Sequence, residues 1–246
     1  MARFVLVHGS FSGAWCWERV RGPLEAAGHL VDTLDLPGAG EDETPLAEVT
    51  LARSAERVVE VLESRPEPAV LAGVSMGGVV ITQAASNAPD RVSSLIFVCA
   101  FMPANGQSLL DLTRLPEGKH DQIQANLVIS GDPPVATMSS AAAAAAAVFN
   151  RCTPEETEFA LARRRPQAAV LFSTPVDVDE HALDAIPRSY VLTTQDRSLP
   201  PVLQRRMVRE HPCRTVVELD TGHAPYLSMP VELATVLSEL AESMAD

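Results

Sequence analysis

Short β-branched, apolar runs alternate with stretches of helical periodicity along the 246 residues, which is how parallel strands joined by crossover helices look in one dimension. The pattern predicts strands over 4–8, 29–34, 69–74 and 94–101. Helices are expected between them, at 15–27, 51–62 and 77–88. In the first, Pro23 opens the second half and Gly28 ends it. Leu51, Ala55, Val58, Val59 and Leu62 stripe one face of the second, opposite Arg53, Glu56, Arg57 and Glu60.

The rhythm fails from Pro103 to about Asp184, where helical fragments, the turn-prone Gly131-Asp132-Pro133-Pro134 and an alanine run offer no convincing strand. This stretch reads as an insertion, with helices expected along Ala141 to Ala147 and from Thr153-Pro154-Glu155-Glu156. The rhythm then resumes with strands at 189–194 and 215–219 and helices at 200–210 and behind Pro230. The expectation is an α/β class chain, one domain over 1–246, with a helical cap inserted at about 103–184.

Composition narrows the partners. Nineteen Lys and Arg against 32 Asp and Glu leave −13, which repels phosphate backbones and anionic headgroups, so neither nucleic acid nor membrane is an expected partner. The longest apolar run, 141–149, falls far short of the ~20 residues of a bilayer span. Phe4-Val5-Leu6-Val7 is too short for a signal-peptide core, so a cytoplasmic location is expected. Cys16, Cys99, Cys152 and Cys213 lie far apart without a C-x-x-C and read as reduced, mostly buried thiols; no metal is expected.

The strongest chemical signal is Gly73-Val74-Ser75-Met76-Gly77-Gly78, a G-x-S-x-G between a predicted strand and a predicted helix. Small residues two before and two after Ser75 permit a sharp strand-to-helix turn that lifts its hydroxyl clear of the sheet. A serine needs a base, and His223, in Thr221-Gly222-His223-Ala224-Pro225, follows the last predicted strand at the same carboxyl edge. His29, His120, His181 and His211 are worse placed. Asp196 follows another strand and completes the order Ser, Asp, His; Asp220, three residues before His223, is the rival. The backbone N–H groups of Met76 and Ser10 are the candidate oxyanion donors, with His8 shaping the loop that carries Ser10.

His8-Gly9-Ser10, Ser12-Gly13-Ala14-Trp15-Cys16-Trp17, Leu24-Glu25-Ala26-Ala27-Gly28-His29, the Ser75 motif, Asp196 and His223 together resemble the α/β-hydrolase family of plant methyl esterases of the salicylate-binding type, hydroxynitrile lyases and bacterial carboxylesterases, including pyrethroid hydrolases. The resemblance implies an eight-stranded sheet under a helical cap, Ser75, Asp196 and His223 as a triad, Ser10 and Met76 as oxyanion donors, and no cofactor. The lyases of that family carry a threonine and a lysine where this chain has Gly9 and Ala224, which favours ester hydrolysis. Val74 stands where the plant esterases usually have histidine.

The expected activity is hydrolysis of small to medium, largely apolar carboxylic esters through an acyl-enzyme, the partner being the small-molecule ester. Acyl transfer, lyase chemistry and a non-catalytic ligand-binding role are the alternatives, and oligomeric state, a homodimer included, stays open. Phe11, Trp15, Phe149, Phe159 and Phe172 are the expected substrate-binding residues, with Leu109, Leu112 and Leu171 as further wall candidates. Arg163-Arg164-Arg165 reads as a solvated helix end.

Overall fold

The computed structural model describes residues 1–244. The first half alternates β1 (Arg3–Val7), α1 (Glu18–Ala26), β2 (Leu30–Thr33), α2 (Leu51–Glu63), β3 (Ala69–Val74), α3 (Gly77–Asn87) and β4 (Val92–Val98). The insertion follows with α4 (Leu109–Thr113), α5 (Gln122–Asn126), β5 (Leu127–Ser130), β6 (Val135–Met138), α6 (Ala141–Val148), α7 (Pro154–Leu161), β7 (Gln167–Ala168), α8 (Val170–Ser173) and α9 (Glu180–Asp184). The chain ends through β8 (Arg188–Thr193), α10 (Pro201–Glu210), β9 (Thr215–Leu219), α11 (Pro225–Ser228) and α12 (Pro230–Ser243).

Six strands form the main sheet in the order β2-β1-β3-β4-β8-β9, every neighbouring pair parallel. Six, rather than the eight the resemblance implies, is the count among the described residues. The side-chain alternation of a strand divides the core between two faces. Val5 and Val7 join α2, α3 and α10 in one hydrophobic cluster, whereas Phe4 and Leu6 join α1 and α12 in the other. Burial on both faces is why these strands read as unbroken apolar runs.

The strand order reverses between β1 and β3: the chain steps outward from β1 to β2, returns to β3, and then proceeds the other way. Loops leaving the carboxyl ends of two such strands diverge to opposite sides of the sheet and open a crevice. Here those loops carry Gly9-Ser10 and Ser75.

Three local expectations are corrected. Pro23 lies inside α1, which begins at Glu18 after a 3-10 turn over Ala14–Trp17. Strand β4 starts and stops earlier than expected, its end set by Cys99, which at φ +35° turns the chain away. The insertion is not purely helical: β5, β6 and β7 form a three-stranded antiparallel sheet, and the turn-prone Gly131 to Pro134 segment joins the first two. The alanine run is helical as expected, with the Ser140 hydroxyl accepting from the Ala143 N–H at its start. Thr153 and Glu156 form a reciprocal capping box at the start of α7.

Candidate active site

Ser75 connects β3 to α3 with φ +56°, a left-handed conformation unusual for a residue with a side chain. Contacts on both sides hold it there. Its carbonyl accepts from Gly78 N–H at 3.0 Å and from Phe101 N–H at 3.1 Å, while its own N–H donates to Val98 O. Gly77 must lack a side chain, since a Cβ there would stand 2.8 Å from the His8 carbonyl oxygen. The result is a serine only 7% exposed, at the first turn of a helix whose positive end faces it.

His223 and Asp196 arrive on the loops after β9 and β8. Imidazole Nδ1 lies 2.7 Å from Asp196 Oδ2, and their side chains are 5% and 0% exposed. The same Oδ2 accepts from the Thr193 hydroxyl at 2.9 Å and Gln204 Nε2 at 3.2 Å, and Oδ1 accepts from Ser198 N–H and Leu199 N–H, each at 2.8 Å. These donors satisfy both oxygens of a carboxylate that has no access to water. Asp220, the rival, is instead spent on the Thr194 hydroxyl and Gln195 Nε2.

Burial alone would depress the His223 imidazole, but the adjoining Asp196 carboxylate outweighs it and holds the group well above its ordinary value. The Cys99 Sγ lies 3.6 Å from the His223 carbonyl oxygen, and burial raises that thiol, leaving it neutral. Cys99, Asp196 and His223 bring ligand-type atoms within 4.8 Å of one another, yet Asp196 and the imidazole Nδ1 are already committed to each other.

The remaining histidines lie elsewhere or are otherwise occupied. His8 is fully buried; its Nδ1 donates to Gly9 O at 2.8 Å and its Nε2 accepts from Leu36 N–H at 3.1 Å, so it is a neutral brace for the loop after β1. Burial pulls its pKa down in keeping with that tautomer. His29 accepts from Ala2 N–H and bonds the Ser238 hydroxyl.

Ser75, His223, Ser10, Phe11, Trp15 and Phe149 line one cavity. Ser75 and Ser10 also line a second, whose walls include Phe101, Leu109, Leu127 and Phe172. Among the described residues neither Ser10 N–H nor Met76 N–H donates to another protein group. Phe159 lines neither cavity: it meets the edge of Trp15 at 5.9 Å and is covered by the Arg163 guanidinium at 3.8 Å. Leu112 and Leu171 are likewise packed into the core.

Sequence reasoning missed Asp121, Ile123, Arg164 and Tyr226, all of which line these cavities. Asp121 caps α5, a signal readable in sequence, but its place in the same cavity wall as Ser75 depends on how the insertion folds back. That return is fastened near Asp196: Gln122 N–H donates to Arg197 O at 2.8 Å, Ser198 Oγ to Ala147 O at 2.9 Å and Asn150 Nδ2 to Gln195 O at 2.9 Å.

Comparison with known proteins places the chain in a family. Putative methylesterase 13, chloroplastic, of Arabidopsis thaliana is 33% identical over 249 residues; the match takes in 98% of this chain, which spans only 56% of that protein's length. Methylesterase 7 of the same plant is 30% identical, with 99% of this chain and 97% of the relative covered. A pyrethroid hydrolase from Sphingobium faniae JZ-2 superposes with a TM-score of 0.90 at 28% identity, covering 99% of this chain and 98% of that one. A model of the alpha/beta hydrolase family matches residues 4–236. With a parallel sheet, a serine elbow at its reversal point and a match over nearly its whole length, the chain belongs to the alpha/beta hydrolase family.

Proposed function

We propose that the chain is a serine carboxylesterase acting on small to medium, largely apolar esters without a cofactor. The observation that carries this reading is the 2.7 Å bond from His223 Nδ1 to Asp196 on a loop whose imidazole shares a cavity wall with Ser75. Nδ1 being occupied, Nε2 is the nitrogen left to take the Ser75 proton. As Oγ bonds to the ester carbonyl carbon, the carbonyl oxygen gains negative charge, and the free N–H groups of Ser10 and Met76 are the donors for it. The C–O bond to the alcohol then breaks, the alcohol leaves with the proton from His223, and an acyl-Ser75 ester remains. Water, deprotonated by the same imidazole, releases the acid and restores the serine.

The names of the relatives, methylesterases and a pyrethroid hydrolase, support an ester substrate. The walls of Phe101, Leu109, Leu127 and Phe172 support an apolar arm on one side of Ser75. The test is Ser75→Ala with fluorophosphonate labelling of the parent. The variant is expected to keep its fold and lose on the order of 10⁴-fold or more in kcat, with the label on Ser75 in the parent. Parent-like turnover by Ser75→Ala ends the assignment.

A further inference from the structure

The three consecutive arginines after α7 have three different surroundings. Arg163 stacks on Phe159 and donates to its carbonyl, and Arg165 donates to Gly40 O and Asp42 O. Arg164 has neither a hydrogen bond nor an ion pair among the described residues; its guanidinium lies 4.8 Å from the centroid of the Phe11 ring. It lines the cavity that holds Ser75 and His223, and no acidic residue lines that cavity with it. Glu18, Asp35 and Glu41 line a separate outer cleft on its other side, none in ion-pair range. Burial lowers the Arg164 pKa to about 10, which leaves it charged at neutral pH.

Two further donors in the same cavity wall are unspent. Ser12 Oγ and Trp15 Nε1 are buried with no hydrogen-bond partner. Buried donors without acceptors are few in folded proteins, and each costs stability unless a ligand satisfies it. Arg164, without an ion-pair partner, shares one cavity wall with the residues that carry these two donors, and a cation in such a wall suits an anionic ligand.

Resting on the esterase reading above, we infer that the substrate is an ester whose other arm ends in a carboxylate, bound by Arg164 with Ser12 and Trp15 as secondary donors. A planar guanidinium matches a carboxylate with two parallel bonds. One cation balances one negative charge, whereas a phosphate dianion would leave charge uncompensated in a chain of net −13. The apolar chamber on the other side of Ser75 then takes the uncharged arm.

The test compares monomethyl esters of aliphatic dicarboxylic acids of graded length with their neutral dimethyl esters. In the parent, kcat/KM is expected to favour the monoester of the fitting length by about tenfold or more, carried by KM. Arg164→Gln should bring that ratio close to one, and Arg164→Lys should keep part of it. Equal rates on both esters in the parent, or an unchanged ratio in Arg164→Gln, overturns the inference. Calorimetric titration with the free dicarboxylate reads the same site without turnover: weaker binding to Arg164→Gln supports it and equal binding refutes it. Failure of the esterase reading is separate, since it would show as no hydrolysis of either ester while the difference in dicarboxylate binding persists.

Discussion

A β-carbon on Gly9 would stand 2.9 Å from the Ser75 Cβ and 3.0 Å from the Val74 carbonyl oxygen, so the loop after β1 seats against the serine elbow only because residue 9 has no side chain. Gly9→Ala must displace either Ser10 N–H or Ser75. A shift of a few tenths of an ångström to one ångström in a reacting group costs up to about 10²-fold in rate. The expected result is a fall in kcat of that order with a smaller change in KM. Gly22→Ala in α1, where a Cβ meets nothing within 4 Å, is the matched control and should hold or raise the melting temperature. Parent-like kcat in Gly9→Ala would show that Ser10 takes no part.

The His223 and Asp196 pair sets a direction for pH. Burial opposes the imidazolium, the carboxylate outweighs burial, and the native pKa stands well above the ordinary 6.5. On the proposed mechanism the base form that would activate Ser75 therefore grows in only on the alkaline side, and kcat/KM should rise with pH above 6.5. The stabilising contribution has the opposite slope: it is complete below the unfolded value of 6.5 and is lost as pH rises through the native one. Asp196→Asn should move the ascending limb toward acid and lower kcat by about 10⁴-fold, by analogy with triads elsewhere. Rate profiles from pH 5 to 10 in both proteins check this, and a limb that stays in place rules out Asp196 as the controlling charge.

Arg3 offers a test of the sheet's anchorage. It is 3% exposed, pairs with Asp32 at 2.9 Å, and its other nitrogens donate to Leu62 O at 2.9 Å and to Val61 O, the last carbonyls of α2. Arg3→Met keeps the apolar stem but leaves Leu62 O without this donor, while Val61 O keeps the Ser64 hydroxyl at 2.7 Å and Asp32 keeps the Arg65 guanidinium at 3.6 Å. With the Asp32 side chain 23% exposed and Arg65 still beside it, water and that cation recover part of the loss, so the cost should be about 2 kcal/mol. Urea unfolding at unchanged slope reads it, and a cost under about 1 kcal/mol would mean the network is dispensable.

How much was legible depends on where each constraint lies. Strand β3 has its expected bounds, since a fully buried apolar run followed by the elbow glycines is a local signal. Ser75, Asp196 and His223 stood out because each follows a strand at the carboxyl edge, and strand ends are readable. The end of β4 was not, because Cys99 turns under bonds from distant chain: its N–H donates to Val191 O, and Phe101 N–H donates to Ser75 O. Strand β5 escaped notice for a different reason. Val128 and Ile129 are adjacent, apolar and both exposed, at 43% and 55%, so the segment lacks the alternation that marks a half-buried strand. Which of three consecutive arginines lines the Ser75 cavity, and that Asp121 comes to line the second cavity with Ser75, are decided by how the insertion folds back, and no local pattern encodes either.

Asp121 is where that return should be measurable in stability. Its Oδ1 accepts from Ile123 N–H at 2.7 Å and Gln124 N–H at 3.1 Å, and it is 5% exposed in the wall of the second cavity. Burial raises its pKa from 3.8 to about 6; the two amides and the His223 charge pull the other way, and Asp196 adds to the rise. A raised carboxyl binds its proton more tightly in the native state, so the protein holds its full contribution below the unfolded value of 3.8 and loses it as pH climbs through about 6. The gap corresponds to at most about 3 kcal/mol. Asparagine caps a helix as well as aspartate does and carries no charge, so Asp121→Asn removes the penalty and keeps the cap. Its stability relative to the parent should grow between pH 4 and pH 6 and level off above pH 7, read from urea unfolding across that range. A difference that stays constant from pH 4 to pH 7.5 would place the Asp121 carboxyl in a solvated setting and contradict its burial in the wall of the second cavity.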